Sequence, residues 1–118
     1  VQVMNKIRLV VNNESKRNEK DKFFIKKELQ SILNLYAKMV SNGSWRDYSF
    51  TSGKKEVSFD VYQRASEKPV LRILKNLKPR YFDEKYLIKD KNGAILKKSE
   101  NLNQLISKTS WNKLKLVK

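Results

Sequence analysis

The sequence predicts an α+β fold with a long N-terminal helix, an antiparallel meander of four to five short strands and a short C-terminal helix. Three observations support this prediction. Apolar residues recur at helical spacing over residues 22–41, short alternating segments separated by tight turns follow them, and a second helical pattern comes after Ser99. Tight turns join antiparallel strands, and 118 residues suit one domain.

The first helix is predicted over Lys22–Ser41. Its apolar side chains recur at steps of three and four residues, so that one face of the helix can be buried. They are Ile25, Leu29, Ile32, Tyr36 and Met39. Asp21 is the predicted N-cap, since its carboxylate can accept N–H bonds from the first turn. Gly43 is predicted to end the helix, because glycine tolerates the left-handed conformation.

The strands are predicted between this helix and the last one. They cover Trp45–Phe50, Glu56–Tyr62, Val70–Lys75, Tyr86–Lys89 and Ala94–Lys97. One sheet face is expected to pack on the long helix while the other stays solvated.

The turn signals place the hairpin and the last helix. Asn92-Gly93 is the clearest hairpin signal, because both positions accept positive φ. Ser99 or Asn101 is predicted to cap the short last helix.

The domain is predicted to occupy residues 23–107. Residues 1–22 are interpreted as a basic, flexible N-terminal arm, because residues 12–22 contain no apolar side chain to offset the entropy cost of ordering. Residues 108–118 are interpreted as a basic tail around Trp111 that orders on a partner.

The composition argues against catalysis. The chain contains neither cysteine nor histidine, which removes thiol chemistry and the commonest general base and metal ligand. Gly53-Lys54 lacks the surrounding residues of a phosphate-binding loop. We therefore predict no enzyme activity, no catalytic residue, no metal and no cofactor. No apolar run reaches the roughly 18–20 residues of a membrane span, so the expected location is the cytoplasm.

Charge is the strongest functional signal. The chain has 27 Lys plus Arg against 12 Asp plus Glu, a formal net charge of +15. The surplus lies mainly in the second half, with net +10 in residues 61–118 and +5 in residues 1–60. It indicates a polyanionic partner, although an AT-rich coding sequence would also raise the lysine count.

Basic and aromatic residues occur together, as they do where lysines neutralise phosphates and rings stack on bases. The candidates lie on the strands, in the loop before Tyr86, beside the hairpin and in the tail. The predicted nucleic-acid-binding residues are Arg46, Tyr48, Arg64, Arg72, Lys75, Lys78, Arg80, Tyr81, Lys97, Lys98, Trp111, Lys113 and Lys115. No RNP-type or Gly-x-x-Gly RNA-binding motif is present, and we expect phosphate neutralisation with little base reading.

The segment Trp45-Arg46-Asp47-Tyr48 has two interpretations. Trp45 can pack back onto the helix beside Tyr36, which would make the segment a structural hinge. Arg46 and Tyr48 share the other strand face. They can form an ion pair with Glu67 or Asp60, or instead present a flat cationic platform.

This segment also carries a family resemblance. Together with Arg64-Ala65-Ser66-Glu67 and Pro69, it resembles a family of small alphaproteobacterial proteins known only as a domain of unknown function. The resemblance covers about Phe23 to Ser107 and departs from the family pattern at Gln63, Asp83–Tyr86 and Lys98-Ser99. It implies no activity, cofactor or site residue.

The combined prediction is a small basic protein that binds structured RNA, as a ribosome-associated or other ribonucleoprotein component. RNA is favoured over DNA because no recognition helix with base-reading side chains is evident. Two alternatives stay open, namely a protein-interaction or regulatory module that docks on an acidic protein partner, and a DNA-binding protein. The sequence does not define the oligomeric state.

Overall fold

The computed structural model describes residues 22–64, 68–109 and 111. Helix α1 (Lys26–Ser41) precedes a five-stranded sheet, and helix α2 (Leu102–Lys108) follows it. Neighbouring strands all pair antiparallel in sequence order, so the predicted α+β meander is confirmed. The strands are β1 (Asp47–Ser52), β2 (Glu56–Tyr62), β3 (Leu71–Asn76), β4 (Tyr86–Asp90) and β5 (Ile95–Ser99). The predicted arm up to residue 21 and tail residues 112–118 lie outside the described residues.

Helix α1 begins four residues later than predicted. Its N-cap is Ile25, whose backbone N–H donates to the Glu28 carboxylate at 2.7 Å. Phe24 lies before the helix and is buried, with its ring centroid 5.5 Å from that of Phe23. The prediction of Asp21 as N-cap was therefore wrong, because the helix begins at Lys26 and its N-cap position is occupied by Ile25. Gly43 follows the helix with a φ of 83°, as predicted.

One face of the sheet forms the core with both helices. Phe59, Ile73 and Ile88 stand opposite one another on β2, β3 and β4, and all three are fully buried. Side chains from α1 and α2 complete this cluster; they include Ile32, Met39, Leu102 and Leu105. Burial of each such side chain contributes about 1.5–3 kcal/mol, so this layer is the main source of stability.

The opposite face of the sheet is less solvated than predicted. Leu74 and Leu87 stand opposite each other on β3 and β4 and are only 0% and 6% exposed, yet they lie outside the core cluster. Ser58 and Asp60 on β2 are buried on the same face. The carboxylate of Asp60 accepts bonds from hydroxyl and guanidinium donors, and these bonds allow it to be buried.

A buried ion pair joins helix α1 to the sheet. The ammonium of Lys75 lies 2.9 Å from a carboxylate oxygen of Glu28, and the two side chains are 6% and 9% exposed. The same ammonium donates to the Phe23 carbonyl at 2.9 Å. The hydroxyl of Tyr86 donates to the second carboxylate oxygen of Glu28. Burial, and then this bond, raise the pKa of Tyr86, which keeps the hydroxyl a donor.

Replacing Lys75 with methionine should be strongly destabilising, because it leaves the Glu28 carboxylate buried without its cation. We expect the Lys75→Met variant to lose about 3–5 kcal/mol of unfolding free energy, measured by urea denaturation. The matched control is the double variant Lys75→Met with Glu28→Gln, whose neutral amide needs no counter-charge. The double variant should be the more stable of the two; equal losses in both would show that charge pairing is not what the cluster contributes.

Candidate nucleic-acid interface

Antiparallel pairing places successive connections at alternate ends of the sheet. The β1–β2 turn (residues 53–55) and the β3–β4 connection (residues 77–85) therefore share one end. The Leu77 N–H donates to the Lys55 carbonyl oxygen at 2.8 Å, which joins these two segments directly. Side chains that are distant in sequence thus meet at this end of the sheet.

The β3–β4 connection is held by its own hydrogen bonds. Phe82–Glu84 forms a 3-10 helix, in which the Glu84 N–H donates to the Tyr81 carbonyl at 3.0 Å. The base of the loop is closed by the Asn76 N–H, which donates to the Lys85 carbonyl at 2.8 Å. Leu77 packs against the core. The loop therefore presents its outward side chains from a fixed backbone.

Exposed cations surround this loop. They come from the loop itself, from the β1–β2 turn and from β5, which contacts the 3-10 helix. Seven such side chains are present, all exposed: Lys54, Lys55, Lys78, Arg80, Lys85, Lys97 and Lys98. The loop contributes two acids, Asp83 and Glu84; Lys98 lies 3.5 Å from the Asp83 carboxylate in an exposed pair. Together with Tyr81 and Phe82, these seven cations are termed the basic loop surface.

Two aromatic rings stand beside these cations. Tyr81 is 61% exposed and Phe82 is 84% exposed. Tyr81 belongs to the predicted set, but sequence reasoning missed Phe82 as a site residue. The sequence does place Phe82 among charged and polar residues between Pro79 and Lys85, a position that could have indicated its exposure.

Two cations of the predicted set are held within the fold. Lys75 lies in the core against Glu28. The Arg72 guanidinium donates to the buried Asp60 carboxylate and to the Ser58 hydroxyl, both at 3.0 Å. Because both cations are matched to buried acids, we leave them out of the basic loop surface.

Three further residues of the predicted set lie at the other end of the sheet. Arg46 precedes β1 and Arg64 follows β2, and both are exposed. The Tyr48 ring stacks on Phe59 with centroids 5.2 Å apart and is half-buried. This end is separated from the basic loop surface by the length of the strands.

The aromatic residues after α1 pack on the helix. Trp45 is buried with its ring centroid 6.2 Å from that of Tyr36, so the hinge interpretation is confirmed for Trp45. Burial raises the pKa of Tyr36, and electrostatic repulsion from Asp47 and from the ionised form of Tyr48 adds to this effect. The Tyr36 hydroxyl donates to the Arg46 carbonyl at 3.1 Å, which also joins the segment before β1 to the helix.

Trp111 packs on the fold. Its indole N–H donates to the Ile106 carbonyl at 2.8 Å, and its ring meets Trp45 edge-on with centroids 5.7 Å apart. Lys113 and Lys115, the other predicted tail contacts, lie outside the described residues.

A groove of about 770 Å³ runs between the two helices. Its lining includes Asn34, Lys38 and Trp111, and the Ser31 hydroxyl joins its walls by donating to the Asn103 side chain at 2.7 Å. Within the described ranges, no three His, Cys, Asp or Glu side chains are grouped so as to hold a metal ion. None of the described helices has the length and apolar character needed to cross a membrane.

Comparison with known protein families identifies the family of this chain's domain. A family model described as "Protein of unknown function (DUF2794)" matches residues 22–106, well over half of the chain. This range nearly coincides with the span of the resemblance noted in the sequence. Searches of curated proteins and of solved structures gave no match.

Arg72 is bonded to a buried carboxylate and Lys78 is exposed, so replacing each of them should change the free energy of unfolding by different amounts. The Arg72→Gln variant should lose about 1–3 kcal/mol of unfolding free energy, because the buried Asp60 carboxylate no longer has its charged donor. The matched Lys78→Gln variant should stay within about 0.5 kcal/mol of the parent, since Lys78 is exposed. Urea denaturation of both variants measures the difference. Equal stability of the two would show that Arg72 is not required to stabilise the buried carboxylate.

Proposed function

We propose that this chain, which belongs to the DUF2794 family of proteins of unknown function, is a non-enzymatic protein that binds structured RNA through its basic loop surface. It would act in the cytoplasm as a ribosome-associated or other ribonucleoprotein component. The observation that supports this proposal best is the exposure of seven cations from three neighbouring segments at one end of the sheet.

Phosphate neutralisation is the proposed mechanism. Salt bridges within the described residues engage neither Lys78 nor Arg80, so both cations are available to an external anion. Each cation that meets a phosphate releases a condensed counterion, and this release favours binding at low salt. The net charge of +15 adds a long-range attraction that speeds encounter with a polyanion.

Docking on an acidic protein is the second candidate. It is favoured by β5, an edge strand on which Ile95 and Leu96 are 53% and 37% exposed beside two lysines. An exposed edge can accept an extended segment from a partner. Lysines on an edge strand, and the pairing irregularity at Ile88/Lys89, both hinder such pairing, so this candidate ranks below RNA. DNA binding ranks third, because the described residues contain no helix that carries base-reading side chains at the basic loop surface.

Neutralising two loop cations should weaken RNA binding and flatten its salt dependence. Log affinity falls as log salt rises, and the Lys78→Gln/Arg80→Gln variant should reduce the magnitude of this negative slope by about 2, roughly 1 for each cation that no longer neutralises a phosphate. Filter binding with a structured RNA hairpin measures this slope. The matched control is Arg46→Gln/Arg64→Gln, which removes the same charge from the opposite end of the sheet and should leave the slope nearly unchanged.

Two results would count against the proposal. An equal reduction in the magnitude of the slope in both double variants would mean that net charge, and not the basic loop surface, drives binding. If the affinity of the parent protein for RNA does not change with salt, phosphate neutralisation is excluded.

Pull-down from nuclease-treated lysate distinguishes the second candidate from RNA binding, because an acidic protein partner would be retained after the nucleic acid is removed.

A further inference from the structure

We propose that the basic loop surface takes an unpaired base of the RNA, stacked on the ring of Phe82. This inference rests on the proposed function and narrows it to RNA that offers an unpaired nucleotide, as loops, bulges and strand ends do. Phe82 would supply a flat apolar face, and the neighbouring cations would hold the phosphates on either side of the base.

The exposure of Phe82 is the first observation. At 84% it is the most exposed of the large hydrophobic side chains in the described part of the chain. Its neighbour Tyr81, at 61%, is a second exposed ring in the same loop. Exposed apolar patches surrounded by polar residues are typical of interaction sites.

The fixed backbone under the ring is the second observation. Phe82 is the first residue of the 3-10 helix, and the Lys85 N–H donates to its carbonyl oxygen at 3.2 Å. The strand ends on both sides of the loop are closed by the bond from Asn76 to Lys85. Because this backbone is already held, binding at the ring costs little backbone ordering, and this preorganisation favours affinity.

The composition around the ring identifies the ligand. Lys78, Arg80 and Lys85 lie in the same loop as the two rings, so a partner must present negative charge and a flat surface together. An unpaired nucleotide does so, because every base has a π-face and every nucleotide carries a phosphate. Bases within an RNA duplex are already stacked on each other and offer no free face. An acidic peptide supplies the charge but makes no specific use of the ring.

Replacing Phe82 with alanine should weaken binding to single-stranded RNA selectively. With a fluorescently labelled oligouridine, we expect the Phe82→Ala variant to bind roughly tenfold more weakly than the parent. With an RNA duplex of the same length, the change should be less than about twofold, since the variant keeps every cation that binds phosphate. The slope against salt should stay unchanged, and fluorescence anisotropy measures all three quantities.

Two controls connect the effect to stacking. The conservative Phe82→Tyr variant keeps the aromatic face and should retain the affinity for oligouridine. The Ile95→Ala variant removes another exposed apolar side chain, on β5, and should bind like the parent. Because Phe82 is exposed, its replacement should leave the melting temperature unchanged.

The outcomes distinguish this inference from the proposed function. If the Phe82→Ala variant loses affinity equally for oligouridine and for duplex, or for neither, stacking is overturned while phosphate binding stands. Equal affinity for a polyglutamate peptide and oligouridine would also overturn it, because charge alone would then be recognised. If the parent binds neither RNA, the proposed function fails and the inference fails with it.

Discussion

The buried pair of Glu28 and Lys75 is the interaction on which the rest of the structure depends. Lys75 stands near the end of β3 and Tyr86 begins β4, and both side chains bond to the carboxylate of Glu28 at the start of α1. The same cluster therefore fixes the helix over the sheet and holds both strand ends from which the 77–85 loop emerges. A buried carboxylate tolerates this position because its lone pairs are satisfied by charged and neutral donors together.

The cations of the chain fall into two physical classes. Lys75 and Arg72 are matched to buried acids, so their charge contributes to the stability of the fold. The lysines and arginine of the basic loop surface are exposed. Ion pairing at exposed positions contributes little to stability, and these charges remain hydrated. The cations that make up the large net charge therefore differ in role, since some stabilise the fold and others are exposed to solvent. One end of the sheet combines exposed cations with exposed rings, and this combination distinguishes it from the opposite end.

The regular features of the fold could be predicted from local sequence signals. The bounds of β2 match the predicted Glu56–Tyr62, and glycines with positive φ stand at both predicted positions, 43 and 93. These features depend on alternation and on turn residues, which are encoded locally. The partner of Lys75 could not be predicted in this way, because Glu28 is 47 residues distant. Likewise, Asp60 and Arg72 meet through the β2–β3 register, which the sequence pattern did not define. The exposure of Phe82 depends on how the loop is anchored, and that anchoring also involves the distant Lys55.

Mapping of backbone amide chemical shifts during titration with an RNA hairpin tests the role of the basic loop surface most directly. We expect the largest shift changes in residues 77–85, with further changes at Lys54, Lys55, Lys97 and Lys98. The chemical shifts of amides near Arg46 and Arg64 should not change. Changes concentrated at the Arg46 and Arg64 end of the sheet, or spread evenly over all exposed lysines, would contradict this role.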